Sequence, residues 1–84
     1  GLIWKCVDDD KLAEEAGALA AKFAQAPTKG LAATKKLIRE SACRAFDAQL
    51  EVERDAQSAL GHSHDYREGV AAFMEKRQPK FTGN

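Results

Sequence analysis

No stretch of these 84 residues approaches the about 20 consecutive apolar positions that a membrane-crossing helix needs. No charged-then-apolar pattern of a secretory signal opens the chain either. Membrane partners are not expected, and the expected compartment is the cytoplasm. Charge of one sign is also missing. Thirteen basic residues meet thirteen acidic ones, which leaves no broad basic field to draw in nucleic acid. Cysteine is scarce: Cys6 lies in the opening segment and Cys43 late in a helical stretch. Neither has a second thiol or a base at motif spacing, so both are expected to be free, partly buried thiols without a catalytic role. Large apolar side chains are few. Hydrophobic residues make up 44% of the chain, but sixteen of them are alanine, which favours helix and buries little area. A chain of this length is one domain at most and buries only roughly 60–65% of its unfolded surface. No internal repeat or low-complexity linker divides it.

What is present reads as helix after a short extended start. Gly1–Val7 carries the β-favouring Leu2, Ile3, Trp4 and Val7 and fits no helical period, so it is expected to be a strand. It has no partner strand, and a lone strand leaves its backbone groups unpaired. The chain is therefore expected to be the tail of something longer. Asp8-Asp9-Asp10 places negative charge at a helix start, where one Asp can cap. A first helix is expected over Lys11–Gln25 with Leu12, Ala16, Leu19, Ala20 and Phe23 on one face. Ala26-Pro27 ends it, and Pro27 suits the first position of a second helix running to Cys43. That helix has a thin stripe of Leu31, Thr34, Ile38 and Ala42, with Leu37 beside it, and a solvated basic flank of Lys35, Lys36 and Arg39. A bend is expected at Arg44–Phe46 although no Gly or Pro marks it. A third helix then runs to about Leu60, with Gly61 as its C-terminal cap. Its apolar arc holds Phe46, Leu50, Val52, Ala56, Ala59 and Leu60. Glu53 interrupts the arc, and a partner is expected for it in Arg67 or Arg77.

His62 and His64 flank Ser63, but no third ligand stands at motif spacing, so no metal is expected. Asp65 followed by Glu68 has capping-box spacing, with Asp65 as the cap and Glu68 reaching back. From there Tyr66, Val70, Phe73 and Arg77 recur along one face of a fourth helix, which Pro79 stops. The fold class is mainly α: one short N-terminal strand or extended segment, then about four amphipathic helices able to bundle.

The run Asp65-x-x-Glu68-Gly69-Val70-x-Ala72-Phe73-x-x-Lys76-Arg77-x-Pro79-x-Phe81-x-Gly83 resembles the terminal signature of the enoyl-CoA hydratase/isomerase (crotonase) family. The resemblance covers the whole chain. Gly1-Leu2-Ile3-Trp4-Lys5-Cys6-Val7 looks like the last strand of that family's spiral domain, and Ala26-Pro27, Lys35 or Lys36, and Glu53 fall where the family has similar residues. The Gly1–Trp4 opening and Ser63-x-Asp65-Tyr66-Arg67-Glu68-Gly69-Val70 resemble the branch that isomerises ring-epoxidised phenylacetyl-CoA in phenylacetate degradation.

The resemblance implies that residues 1–9 are the last strand of a spiral domain outside this chain and residues 10–84 a C-terminal helical domain for oligomerisation and CoA cover. The implied partners are the parent spiral domain, the acyl-CoA and further copies in a homotrimer or dimer of trimers. Coenzyme A enters as a thioester substrate. Family chemistry stabilises an enolate with two backbone N–H groups while carboxylates move protons. Those groups belong to the spiral domain, so no catalytic residue is expected here. Two positions carry over to CoA binding. Phe73 matches an aromatic near the adenine, and Lys76 matches a basic residue approaching the nucleotide. Gln57 stands where the family has another aromatic of that pocket. The competing reading is a free-standing helical protein-interaction module.

Overall fold

The computed structural model describes residues 1–84. Four helices follow an extended start: α1 (Leu12–Ala24), α2 (Thr28–Ser41), α3 (Phe46–Gly61) and α4 (His64–Met74). The strand expected over Gly1–Val7 does not form. No second extended segment lies beside it, and Leu2, Ile3 and Trp4 stay exposed. What holds this segment is α1: the Lys5 ammonium meets Glu15 at 2.6 Å, and Trp4 and Val7 line a cleft with Leu12, Ala16 and Leu19. A single 3₁₀ turn, Asp9–Lys11, leads into α1. None of the three aspartates caps through its side chain. Their contribution is negative charge near the positive helix terminus.

The connections are short and each has a local cause. Pro27 precedes α2 as its N-cap instead of occupying its first turn, and its carbonyl accepts the Leu31 N–H at 3.1 Å. The bend between α2 and α3 needs no glycine because Arg44 bridges it. Its guanidinium pairs with Glu40 of α2 and donates to Gln49 Oε1 of α3 at 3.1 Å. Gly61 is the last residue of α3 and keeps a right-handed backbone. His62 caps by donating its N–H to the Ala59 and Leu60 carbonyls. Glu53 does not pair with Arg67 or Arg77; it accepts from Gln49 Nε2 at 2.7 Å, one turn back on α3. Arg67 donates to the His62 carbonyl. Both Cys6 and Cys43 are free and exposed, where partial burial was expected.

The helices do not close into a bundle. Helix α3 packs on α2 and α4, while α1 packs chiefly on the turn before it. The chain spans 44 × 39 × 18 Å, and its short axis is less than two helix diameters of about 10–12 Å. Its radius of gyration is 16.0 Å, against about 12 Å for a compact domain of this length. Only Ala72 and Asp65 are buried, and the accessible surface is 7231 Å². A compact monomer of 9.1 kDa exposes about 4,900 Å². The apolar stripes thus form and remain uncovered: Leu12, Phe23, Ile38, Phe46, Leu50 and Met74 all face solvent.

Candidate functional site

The side-chain hydrogen bonds that reach twelve or more residues along the chain all join α4 to the tail that follows it. Ser63 caps α4, its hydroxyl oxygen accepting the Tyr66 N–H at 3.1 Å. That leaves Asp65 and Glu68 free of the capping roles expected for them, and both carboxylates hold the tail. Asp65 is 3% exposed. Its Oδ1 accepts the Thr82 N–H at 2.8 Å and the Thr82 hydroxyl at 3.3 Å, and its Oδ2 accepts the Gly83 N–H at 2.8 Å. The Asp65 N–H in turn donates to the Asn84 carbonyl at 2.9 Å. The Thr82 N–H is the main cause of a pKa lowered from 3.8, against the opposing effect of burial.

Glu68, one turn on, takes three donors. Arg77 Nη1 and Nη2 reach its two oxygens at 2.6 and 2.9 Å, and the Lys80 N–H reaches Oε1 at 2.7 Å. The forked geometry is the strong form of this pair. Chiefly through Arg77, and then through the Lys80 N–H, the Glu68 pKa falls from 4.5 to about 2. Glu68 and Glu75 together raise the Arg77 pKa above its ordinary value. Arg77 Nε donates to Glu75 at 2.6 Å.

Two backbone positions complete the reversal. Gly83 has φ +81, and a Cβ there would meet Thr28 Oγ1 at 2.6 Å. The tail therefore closes against the first residue of α2, and only glycine fits. Lys76 is the one non-glycine residue at positive φ, +53. It follows the cap residue Glu75, and its N–H donates to Phe73 O at 3.2 Å while the Arg77 N–H donates to Ala72 O at 3.0 Å. This pair of bonds is the Schellman ending, whose left-handed position usually holds glycine. Helix α4 thus stops five residues before Pro79, turned by Lys76 and held by Glu68.

An open apolar cavity of about 430 Å³ lies between the start of α2, the end of α3 and one face of α4. Pro27, Leu60, Tyr66, Val70 and Phe73 form its walls, and Phe81 closes one side after its ring packs 3.6 Å from where a Gly69 Cβ would stand. Of the two expected CoA-contacting residues, Phe73 is on this wall and 82% exposed. Lys76 does not line the cavity. It lies exposed in the reversal beyond it, without an ion-pair partner. Gln57 faces a different groove, shared with Ala33, Leu37 and Ile38. The two histidines diverge: His62 Nδ1 bonds Ser58 O at 2.8 Å and His64 Nδ1 lies 3.4 Å from Asp65. Nothing in the spacing of Asp65, Glu68, Arg77 and Gly83 alone signals that they form one latch. The Asp-x-x-Glu pair was visible, but its partners lie up to eighteen residues away.

The latch residues are those of the run that resembles a family ending, and comparison with known proteins agrees. A family model described as enoyl-CoA hydratase/isomerase matches residues 1–84. The chain is 49% identical over 83 residues to the 1,2-epoxyphenylacetyl-CoA isomerase of Escherichia coli, covering 99% of this chain and 32% of that protein. It is 36% identical over 83 residues to the 2,3-dehydroadipyl-CoA hydratase of the same organism, with the same coverage of 99% and 32%. Among solved structures, an enoyl-CoA hydratase/isomerase from Mycobacterium abscessus superposes with a TM-score of 0.89 at 36% identity, over 93% of this chain and 30% of that one. An enoyl-CoA hydratase from Geobacillus kaustophilus superposes with a TM-score of 0.84 at 29% identity, over 89% and 28%. The chain spans about a third of the length of the relatives it matches. With the likeness running unbroken from the extended start through the latch, this chain belongs to the enoyl-CoA hydratase/isomerase family.

Proposed function

We propose that this chain is the C-terminal helical segment of an acyl-CoA hydratase or isomerase. In that role it supplies subunit packing, part of the cover over an active site and part of the CoA pocket. The observation that carries the reading is the family likeness over all 84 residues, which span only 32% of the E. coli isomerase. The surface supports it. About 2,300 Å² more is exposed than a compact monomer would show, which is the scale of a large permanent interface. Residues 1–9 act as the last strand of the preceding spiral domain, where Gly1–Val7 would find the hydrogen-bond partners they lack here. Residues 10–84 form the helical domain that joins three subunits, in the cytoplasm.

Catalysis lies outside these residues. The amides that polarise a thioester carbonyl and the carboxylates that move protons would come from the spiral domain. This chain binds. Phe73 offers an exposed ring to the adenine, and Lys76 offers an unpaired ammonium to the nucleotide phosphates. The substrate is a CoA thioester. The 49% identity to the E. coli isomerase favours ring-epoxidised phenylacetyl-CoA, converted by isomerisation as a step of phenylacetate degradation.

The test is to express the intact reading frame and the 84 residues separately, and to assay isomerisation of epoxidised phenylacetyl-CoA beside hydration of a simple enoyl-CoA. Turnover is expected only in the intact protein, which should sediment as three copies or a multiple of three. In it, Lys76→Ala should raise KM for the CoA substrate about tenfold, the loss of one charge-assisted contact. Turnover by the 84 residues alone would overturn the reading. So would a loss confined to kcat in Lys76→Ala.

A further inference from the structure

Lys76 occupies a position that L-residues avoid, at the point where the chain reverses after α4. Glycine is the usual occupant of such a helix ending, because it adopts positive φ without a steric penalty. A lysine persists there only if the surroundings hold it, and such outliers cluster at sites of function. The surroundings here are specific. Arg77, the next residue, is gripped through both terminal nitrogens by Glu68 and through Nε by Glu75. Four residues beyond Lys76, the Lys80 N–H ends on the same Glu68 carboxylate at 2.7 Å. Glu68 thus ties down the residue that leaves the reversal and the strand of tail that follows it. Because Arg77 is engaged by Glu68 and Glu75, the ammonium groups of Lys76 and Lys80 are left without ion-pair partners, and Lys76 is the one that stands in the reversal itself at positive φ.

We infer that Glu68 is a positioning residue for nucleotide recognition: by holding Arg77 and the Lys80 N–H it keeps Lys76 in the left-handed backbone that presents its ammonium to a phosphate of CoA. The inference rests on the proposed role of Lys76. It assigns Glu68 no contact with the ligand and no part in proton transfer. The latch therefore acts on affinity for the nucleotide half of the substrate and leaves the chemistry at the thioester untouched.

The experiment uses the intact enzyme and two substrates with the same acyl group, one on CoA and one on pantetheine, which lacks the nucleotide. Glu68→Gln keeps the shape of the side chain and removes the ion pair. It is expected to raise KM for the CoA thioester at least threefold, with kcat within twofold and KM for the pantetheine thioester unchanged. Combined with Lys76→Ala it should add nothing further, since both changes remove the same contact. Arg77→Lys keeps the charge but loses the fork. It should reproduce the effect and carries the test if Glu68→Gln does not fold, a point that thermal midpoints check. An equal rise in KM for both thioesters, an effect additive with Lys76→Ala, or no effect at all would overturn the positioning role. If Lys76→Ala itself leaves KM for the CoA thioester unchanged, the site reading fails first and this inference falls with it.

Discussion

Replacing Lys76 with glycine should push stability and binding in opposite directions, and the two magnitudes can be worked from the backbone. An L-residue in the left-handed region costs about 1–2 kcal/mol relative to its ordinary conformation, and Lys76 sits there at φ +53. Glycine removes that strain but gives the unfolded chain more freedom, which takes back about 0.4–1 kcal/mol. The net effect is a stabilisation of about 0.5–1 kcal/mol. In a protein of 150–250 residues each kcal/mol moves the midpoint by about 2–4 °C, so the intact protein should melt about 1–4 °C higher. No side-chain bond is lost, because Lys76 has no ion-pair partner and its backbone N–H bond to Phe73 survives the change. Affinity for CoA should fall about as far as in Lys76→Ala, since both delete the ammonium. Scanning calorimetry of the ligand-free protein and a CoA titration of the same sample read the two quantities independently. A midpoint that falls would mean that the lysine is not strained at this position and that its stem contributes packing. Unchanged CoA affinity would mean that the strain serves no binding role.

The latch should be pH-sensitive on the acid side. The folded pKa of Glu68 is depressed from 4.5 to about 2, and that of Asp65 lies below its ordinary 3.8. The Glu68 contribution is then complete above about pH 4.5 and is lost as pH falls from there through about 2, and the Asp65 contribution is complete above its ordinary 3.8 and is lost on acidification below it. Amide hydrogen exchange should show the Lys80, Thr82 and Gly83 N–H groups protected at neutral pH, with Lys80 released within the Glu68 window and Thr82 and Gly83 released only on acidification below about 3.8, ahead of the middle of α3. Release of any of the three above pH 5, or full protection of the Lys80 N–H at pH 2, would contradict the assignment of these carboxylates as the holders. Gly83→Ala tests the other end of the tail. The new Cβ meets Thr28 Oγ1 at 2.6 Å with φ fixed at +81, so the tail should detach at a cost of at least about 1–2 kcal/mol. Exchange protection at Thr82 should fall while α3 is unaffected. A variant with wild-type protection would show that the close approach of α2 and the tail is not required.

The four helices were legible because their signals are local. Alanine content, the apolar period and the Ala26-Pro27 break place α1 and α2 within a residue or two of their observed ends. The bend before Phe46 was visible as a change of period, but its cause was not, since Arg44 reaches back to Glu40 and forward to Gln49 across the turn. The end of α4 was misplaced for a related reason. Pro79 is the obvious breaker, but the helix stops at Met74 because Glu68, nine residues before Arg77, draws the chain round first. A proline rule sees the last residue at which a helix can persist, not the first at which a distant carboxylate ends it.

The same distinction explains the site. A capping box and a tail latch share the spacing of Asp65 and Glu68, and which one forms is decided by competition. Ser63 lies two residues earlier, with a hydroxyl already placed on the Tyr66 N–H. With the cap taken, Asp65 at the second helical position faces tail amides in place of its own helix, and a buried carboxylate accepting three donors is a better solution than a solvated cap. The apolar stripes of α1, α2 and α3 likewise obey their period and still build no interior, with two buried residues in the chain. Periodicity records which face is to be covered. It does not record what covers it, and in an 18 Å thick layer of helices that cover must come from surfaces other than these four. The strained Lys76 and the uncovered stripes are consequently two forms of one fact. Both are local features that the helices themselves leave unexplained, and the proposed reading gives each its counterpart: a nucleotide for the lysine and protein surface for the stripes.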